Sequence, residues 1–294
     1  MIREKILEIK DLKQYFRLNK NKVIKAVDGI SFDIYQGEVL GLVGESGSGK
    51  STLGKSIVGI NKITDGHIIY EGIYISKNKK VQKELISDSV QFIFQDSTSS
   101  LNSRMTIGNI IAEPLKIRKS NKSDRIKKVY EMMELVGLDK DFINKYPYDF
   151  SGGQRQRVAI ARALSTNPKF IIADEPIASL DVSMQAQIIN LFKRLKNSGK
   201  LTCLFISHDL SMVRYISDRI AVIYKGKLVE IAETEELYKN PIHPYTKSLL
   251  ESILEPNINN SDIKSIENNL LKYNCSLKNE NKWKEVKKGH FVYY

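Results

Sequence analysis

The chain has 294 residues, of which 41% are hydrophobic, and this composition excludes a disordered chain and suits a globular core. No run of about 18 apolar residues occurs, so the sequence predicts no membrane-spanning helix. The net charge of +12 admits nucleic acid or an anionic membrane surface as a partner. Since the basic residues are scattered along the chain, a lysine-rich solvated surface is an equally good interpretation.

The cysteines and the first residues indicate the compartment. Cys203 and Cys275 form neither a metal-spaced pair nor a disulfide framework. Residues 1–5 lead directly into a strand-like segment, without the apolar stretch of a signal peptide. We therefore expect the reducing cytoplasm.

Apolar runs and alternating segments predict the strands of an α/β core. Gly29 and Gln36-Gly37 are predicted turns. Tyr15 and Phe16 place an aromatic ring where it can stack on a purine or pack in the core. The predicted strands are residues 5–10, 23–34, 38–43, 66–70, 90–94, 170–174, 201–206, 220–224 and 227–231, the last two as a closing hairpin.

A glycine-rich segment, Gly44-Glu45-Ser46-Gly47-Ser48-Gly49-Lys50-Ser51, follows the third strand and precedes a predicted helix at residues 51–59. It fits the pattern G-x-x-x-x-G-K-[ST]. Backbone N–H groups of such a turn converge on phosphate oxygens, and the helix dipole favours the same anion. Lys50 would then reach the β- and γ-phosphates, and the Ser51 hydroxyl would ligate Mg²⁺. A strand–helix turn without a ligand is the alternative.

A helical pattern at residues 105–150 predicts a small subdomain inserted between strands of the core. Ser151-Gly152-Gly153-Gln154 opens a further helix, either as an ordinary N-cap or as a second anion-binding helix start. Another helix is expected at residues 182–197. Within the inserted subdomain, Ser123 is the expected N-cap of a helix that ends at Gly137, and its buried face comprises Ile126, Val129, Met132, Met133 and Val136.

Two predicted strands end in polar residues. Asp174-Glu175 ends one of them, so Asp174 can hold Mg²⁺ and Glu175 can polarise a water, unless the pair is only a solvated acidic turn. His208 follows the next strand and can reach the γ-phosphate, although a lone histidine is usually structural. Further on, residues 241–246 are expected to break regular structure, and residues 257–260 resemble a linker.

Taken together, these motifs resemble the nucleotide-binding subunit of an ABC transporter over about residues 5–250. They appear in family order: the Walker A motif at 44–52, the Q-loop at Gln95, the signature at 151–154, Walker B Asp174 with Glu175, the D-loop at 179–181 and the H-loop His208. The resemblance implies an α/β P-loop NTPase (RecA-like) core with an antiparallel β subdomain. It places a nucleotide-binding domain at 5–240, a helical subdomain at about 97–155 and a C-terminal extension at 241–294.

The resemblance also implies the chemistry, which is ATP hydrolysis with Mg²⁺. Glu175 is the expected base, with Gln95 and His208 at the γ-phosphate, and Ser51, Gln95 and Asp174 at the metal. The signature serine is expected to contact ATP on the opposite subunit of a head-to-tail dimer. The residues implied to contact nucleotide are Phe16, Gly44, Glu45, Ser46, Gly47, Ser48, Gly49, Lys50, Ser51, Thr52, Ser151, Gly152, Gly153, Gln154 and Asp181.

A closer resemblance is to the second ATPase subunit of oligopeptide and dipeptide importers, carried by residues 94–96, 100–105 and 240–246. It implies a second, different ATPase subunit, two integral-membrane permease subunits and an extracellular substrate-binding protein. The expected location is the cytoplasmic face of the membrane, with the loop at 97–105 facing a permease. Many relatives have a cysteine-containing C-terminal segment, whereas Cys275 stands almost alone. We therefore expect no iron–sulfur cluster.

Other functions remain open on the sequence. Import of nickel or another metal chelate uses the same ATPase motifs. A nucleic-acid-acting ATPase is favoured by the charge, but it is disfavoured by the single motif set and the importer-like segments, so no nucleic-acid partner is expected. A catalytically dead subunit is disfavoured because Lys50, Asp174, Glu175 and His208 are all present.

Overall fold

A computed structural model describes residues 4–19, 22–76, 82, 84–86, 89–96, 100–178, 180–199, 201–254 and 283–293. The expectations for residues 97–99, Ser179, residues 257–260 and Cys275 lie outside these ranges. The chain divides into two compact units, one formed by Met1–Lys79 and Phe205–Tyr294 and the other by Lys80–Leu204.

Most of the strands lie where the sequence has apolar or alternating segments, and β5, β11 and β12 are the exceptions. In chain order they are β1 (Lys5–Asn19), β2 (Lys22–Tyr35), β3 (Val39–Val43), β4 (Asp65–Tyr70), β5 (Ile73–Tyr74), β6 (Val90–Ile93), β7 (Phe170–Asp174), β8 (Cys203–Ser207), β9 (Arg219–Tyr224), β10 (Lys227–Glu233), β11 (Trp283–Lys287) and β12 (His290–Tyr293).

The helices occupy the segments between strands. They are α1 (Lys50–Ile57), α2 (Ile107–Ile117), α3 (Lys122–Leu135), α4 (Gly152–Leu164), α5 (Val182–Asn197), α6 (Leu210–Ile216), α7 (Thr234–Lys239) and α8 (Pro244–Leu254), with short 3₁₀ helices at Lys140–Asn144 and Pro147–Asp149. Within the described residues, none of these helices is long and apolar enough to cross a membrane.

The first unit contains an antiparallel sheet in the order β2-β1-β4-β5. It also contains β3, which runs parallel to β9 with Leu40 opposite Arg219. The hairpin of β9 and β10 is antiparallel, β12 pairs with β10, and β11 pairs with β12. Every residue of β3 is buried, as is typical of a parallel strand covered on both faces. The glycine-rich loop follows directly after this buried strand, and α1 follows the loop.

The second unit pairs β6 and β7 in parallel, with Val90 opposite Phe170. Helices α2, α3 and α4 pack against one another. All five residues of β7 are buried, so Asp174 ends a strand that is enclosed along its length. The boundary between the units falls within β8, which is also buried throughout.

Two expectations for α3 are wrong in detail. Its N-cap is Asn121, whose side-chain oxygen accepts the N–H of Asp124 at 2.9 Å, and Ser123 lies inside the helix. Asparagine is as good a cap as serine, so the local pattern alone did not separate the two positions. Ile126 is 46% exposed, whereas Val129, Met132, Met133 and Val136 are buried as expected.

Gly29 does not form a turn, because it lies inside β2. Leu12 pairs with Ile30 and Lys13 with Asp28, so Gly29 is the extra residue where the ladder shifts its register. A glycine inside a strand often marks such a bulge.

The C-terminal region is more regular than expected. The predicted break at residues 241–246 is only partly correct, because α8 begins at Pro244. Proline is compatible with the first helical position, where no intrahelical N–H bond is needed. The hairpin of β11 and β12 was not predicted, because its contact with β10 depends on residues about 60 positions away, Glu230 opposite Val292.

Glu38, the residue before β3, makes an ion pair with Arg219 on β9, and breaking this pair should destabilise the protein. Their side chains are 1% and 18% exposed, and the Oε1–Nη1 distance is 3.0 Å. Burial raises the pKa of Glu38. Arg219→Met leaves this buried carboxylate without its cation, so we expect a loss of about 3 kcal/mol in the free energy of unfolding in urea titrations.

Arg214→Met is the matched control, because Arg214 pairs with Glu235 on the surface. Exposed pairs contribute little, so this variant should unfold close to the wild-type midpoint. Equal losses in the two variants would contradict the prediction.

Candidate functional site

The loop between β3 and α1 has a backbone path that only glycine permits. A Cβ atom at Gly44 would lie 2.2 Å from the carbonyl oxygen of Ile223, and one at Gly49 would lie 2.0 Å from that of Ala26. Gly49 also has a φ of 108°, which L side chains rarely adopt. The loop is therefore packed directly against the backbone of β9 and β2.

Lys50, the first residue of α1, places its charge inside this loop. The residue is 4% exposed, and its Nζ donates to the carbonyl oxygens of Gly44 at 2.7 Å and Glu45 at 2.8 Å. Gly49 offers no side-chain cap to the helix N-terminus. The loop thus combines a held ammonium with the uncapped N–H groups of a helix start, which is the chemistry of an anion site.

Ser48 adds a further donor to the loop. It is 5% exposed, and its hydroxyl has no hydrogen-bond partner among the described residues. A buried hydroxyl without a partner is costly, and a phosphate oxygen would satisfy it. The residues of the loop therefore fit a polyphosphate.

In the second unit, Asp174 ends β7 and Glu175 follows it. Asp174 is 2% exposed. Glu175 has a φ of 45°, a left-handed conformation that is uncommon outside glycine and is concentrated at functional sites. The side-chain amide of Gln95 donates to the Glu175 carboxylate at 3.0 Å. The structure thus brings these two predicted residues together, at the ends of the paired strands β6 and β7.

The motifs predict Gln95 and Glu175 as site residues, but neither their contact nor the backbone conformation of Glu175. A polar residue after each of two parallel neighbouring strands was the available signal.

The signature residues form a helix cap. The Ser151 hydroxyl accepts the N–H of Gln154 at 3.3 Å, and the Gln154 side chain accepts the N–H of Ser151 at 3.0 Å. This reciprocal pair is a capping box at the start of α4. Asp181 is the N-cap of α5, and its side chain accepts the N–H of Met184 at 2.9 Å. The N-cap interpretation of Ser151 is correct, and its contact with nucleotide stays a prediction.

Phe16 and Tyr15 have different surroundings on β1. The Tyr15 hydroxyl donates to Asp28, and this hydrogen bond raises the pKa of Tyr15. Phe16 is 39% exposed, so its ring is the accessible one. His208, just after β8, is exposed as well.

The predicted site residues are distributed over both units. Phe16, the loop at residues 44–52 and His208 belong to the first, and Gln95, residues 151–154, Asp174, Glu175 and Asp181 belong to the second. A glycine-rich loop after a buried parallel strand, with its lysine at the following helix start, defines the chain as a P-loop nucleotide-binding protein.

Comparison with known proteins identifies the family. The ABC transporter family model matches residues 27–178, and the model of the oligopeptide/dipeptide transporter C-terminal region matches residues 229–278. The chain is 53% identical to the oligopeptide transport ATP-binding protein OppF of Bacillus subtilis strain 168, over 98% of this chain and 96% of that one. It is 46% identical to the dipeptide transport ATP-binding protein DppF of Lactococcus lactis subsp. cremoris, over 99% and 94%.

Solved structures agree with this result. A dimeric ATP-binding cassette in a post-hydrolysis state with ADP and phosphate superposes with a TM-score of 0.71 at 29% identity, covering 78% of this chain and 98% of that one. CbiO1 of Clostridium perfringens, part of an ABC transporter complex, gives 0.72 at 27% identity, covering 81% and 92%.

The chain belongs to the ABC transporter family, as one of its ATP-binding, ATP-hydrolysing subunits. The expected family, the P-loop α/β fold and the ATPase activity are confirmed.

The close packing of Gly49 generates a prediction. Gly49→Ala should lower ATP affinity and the thermal midpoint, because the new methyl group overlaps the Ala26 carbonyl. Gly47→Ala is the matched control, since Gly47 also has a positive φ, 80°, but nothing lies within 4 Å of the point that a Cβ atom would occupy there.

Both variants carry a backbone strain of about 1–2 kcal/mol. Only Gly49→Ala should show an additional loss of ATP affinity and of thermal midpoint, measured by fluorescent-ATP titration and thermal unfolding. Indistinguishable variants would show that close packing does not shape the loop.

Proposed function

We propose that the chain hydrolyses ATP to power an ABC importer of oligopeptides or dipeptides. One observation carries this proposal: the chain matches the C-terminal region of oligopeptide/dipeptide transporters, and its relatives named for peptide transport align over nearly its whole length. In this proposal residues 5–240 are the nucleotide-binding domain, with a helical subdomain at about 97–155, and residues 241–294 are the importer-type extension.

The phosphate chain of ATP is held by the loop at residues 44–52. Lys50 already lies with its ammonium against the carbonyls of Gly44 and Glu45, so it needs no large rearrangement to face a phosphate. The N–H groups at the start of α1 and the Ser48 hydroxyl supply further donors. Phe16, as the exposed ring on β1, stacks on the adenine.

Mg²⁺ is assigned to Ser51, Gln95 and Asp174, whose oxygen atoms suit a hard cation. When bound, the ion neutralises charge on the β- and γ-phosphates. The buried position of Asp174 at the end of β7 limits the orientations of its carboxylate.

Glu175 is the proposed general base for the attacking water. Its left-handed backbone and the hydrogen bond from Gln95 fix the direction of its carboxylate. Positioning of this kind supplies much of the catalysis in phosphoryl transfer. His208 orders the γ-phosphate from its exposed position after β8.

A second ATPase subunit completes the site. Ser151, Gly152, Gly153 and Gln154 lie at the start of α4, and their proposed ligand is the nucleotide held by the opposite subunit, with Asp181 beside it. A dimeric cassette among the solved relatives supports this arrangement. As the resemblance to oligopeptide and dipeptide importers implies, we propose that the opposite subunit is a different ATPase chain.

The remaining partners follow from the transporter role. We propose two integral-membrane permease subunits, contacted by residues 97–105, and an extracellular substrate-binding protein, with this chain on the cytoplasmic face. We propose no iron–sulfur cluster, since Cys203 is buried and Cys275, outside the described residues, is a single thiol.

Replacing the proposed base tests the mechanism. Glu175→Gln should retain ATP binding while hydrolysis falls by about 10²–10⁴-fold, because the neutral amide cannot accept the proton. The measurement is steady-state phosphate release by the transporter reconstituted in lipid, alongside nucleotide binding.

Glu71→Gln is the matched control, because Glu71 is another glutamate with a positive φ, 48°, outside the proposed site. It should hydrolyse ATP at the wild-type rate. Near-normal turnover by Glu175→Gln would show that another group is the base.

Reconstitution tests the cargo. With both permeases, the second ATPase and the binding protein in vesicles, oligopeptides or dipeptides should stimulate ATP hydrolysis and accumulate in the vesicles. Stimulation by nickel chelates instead would assign a metal importer, and stimulation by DNA would reject the transport role.

A further inference from the structure

A tyrosine from the C-terminal region contacts the loop at residues 44–52, which we call the phosphate loop. The Tyr245 hydroxyl accepts the backbone N–H of Glu45 at 2.9 Å, although the two residues are 200 positions apart. Tyr245 lies in α8 and is 1% exposed. A side chain outside the predicted nucleotide motifs is therefore bonded to a peptide of the loop.

Glu45 links this contact to the lysine. Its N–H donates to Tyr245, and its carbonyl oxygen accepts from Lys50 Nζ at 2.8 Å. The Glu45 N–H also shares one planar peptide group with the Gly44 carbonyl, which accepts from Lys50 Nζ at 2.7 Å, so fixing the N–H fixes the direction of that carbonyl. The orientation of the loop backbone at its first turn thus depends on Tyr245.

The Tyr245 ring is itself held in place. Its centroid lies 4.3 Å from that of Tyr224 on β9. Its backbone N–H donates to His243 Nδ1 at 3.2 Å. Burial lowers the pKa of His243 to about 4, so at neutral pH this ring is uncharged and can accept that bond. Burial also raises the pKa of Tyr245, which keeps its hydroxyl protonated.

A buried carboxylate anchors the turn before α8. Glu230 on β10 is fully buried, and it accepts the N–H groups of Ile242 at 2.9 Å and His243 at 3.0 Å. Its Oε1 also lies 2.7 Å from Nε2 of His290 on β12. The turn before Tyr245 is therefore bonded to strands β10 and β12 of the first unit through Glu230.

We propose that Tyr245 is a positioning residue for the phosphate loop, and that its hydroxyl sets the Glu45 peptide so that Lys50 meets the phosphates of ATP. This inference rests on the proposed role of the loop. It makes the importer-type C-terminal region a part of the nucleotide site.

Tyr245→Phe tests the inference in the full 294-residue chain, because it removes only the hydroxyl and keeps the ring against Tyr224. Loss of one hydrogen bond predicts that the Kd for a fluorescent Mg-ATP analogue rises about 3- to 10-fold. Amide hydrogen exchange in the peptide covering residues 44–50 should become faster, with the thermal midpoint close to wild type.

Tyr238→Phe is the matched control. The Tyr238 hydroxyl is part-buried and donates to the Leu210 carbonyl, a partner in the same unit but outside the loop. This variant should leave both the Kd and the exchange of residues 44–50 unchanged. Lys50→Ala serves as the reference for the loop itself and should abolish binding.

The outcomes distinguish failure of the inference about Tyr245 from failure of the proposed function of the loop. Lost binding in Lys50→Ala with wild-type affinity and exchange in Tyr245→Phe would overturn the inference and leave the proposed function intact. Equal weakening in both tyrosine variants would also overturn it, since general loosening would then explain the effect. Retained binding in Lys50→Ala would reject the proposed role of the loop.

Discussion

The close approach of the phosphate loop to strands β9 and β2 is the constraint on which the rest of the site depends. Gly44 and Gly49 bring the loop against the carbonyls of Ile223 and Ala26, which no side chain would allow. The loop is thereby bent around the ammonium of Lys50. An anion site made of backbone requires such a fixed path, because peptide dipoles act only in the direction in which they point.

In the second unit, a hydrogen bond between two side chains, rather than a closely packed loop, holds the predicted site residues. Gln95 and Glu175 come from the ends of two parallel strands, and a hydrogen bond joins them. The left-handed backbone of Glu175 follows directly on the buried strand β7, and the hydrogen bond from Gln95 holds its side chain. In each unit, therefore, a predicted site residue lies next to a backbone conformation that L side chains rarely adopt, Lys50 after Gly49 and Glu175 itself.

Much of this was predictable from sequence, because the signals are local. The buried runs of β3 and β7 and the glycine pattern before Lys50 each lie within a few residues of the group they position. The cap of α3, the bulge at Gly29 and the β11–β12 hairpin were not predicted. A cap choice between Asn121 and Ser123 depends on small energy differences, and the other two features depend on partners distant in sequence. The bond between Tyr245 and Glu45 belongs to the same class of long-range contact.

The fixed position of Lys50 has an entropic consequence. A free lysine side chain carries about 2 kcal/mol of rotamer entropy, which is lost when its end is immobilised. Here the four-carbon stem is already ordered by the carbonyls of Gly44 and Glu45. That loss therefore occurs during folding, so in the proposed function an arriving nucleotide would meet a charge whose conformational freedom has already been removed.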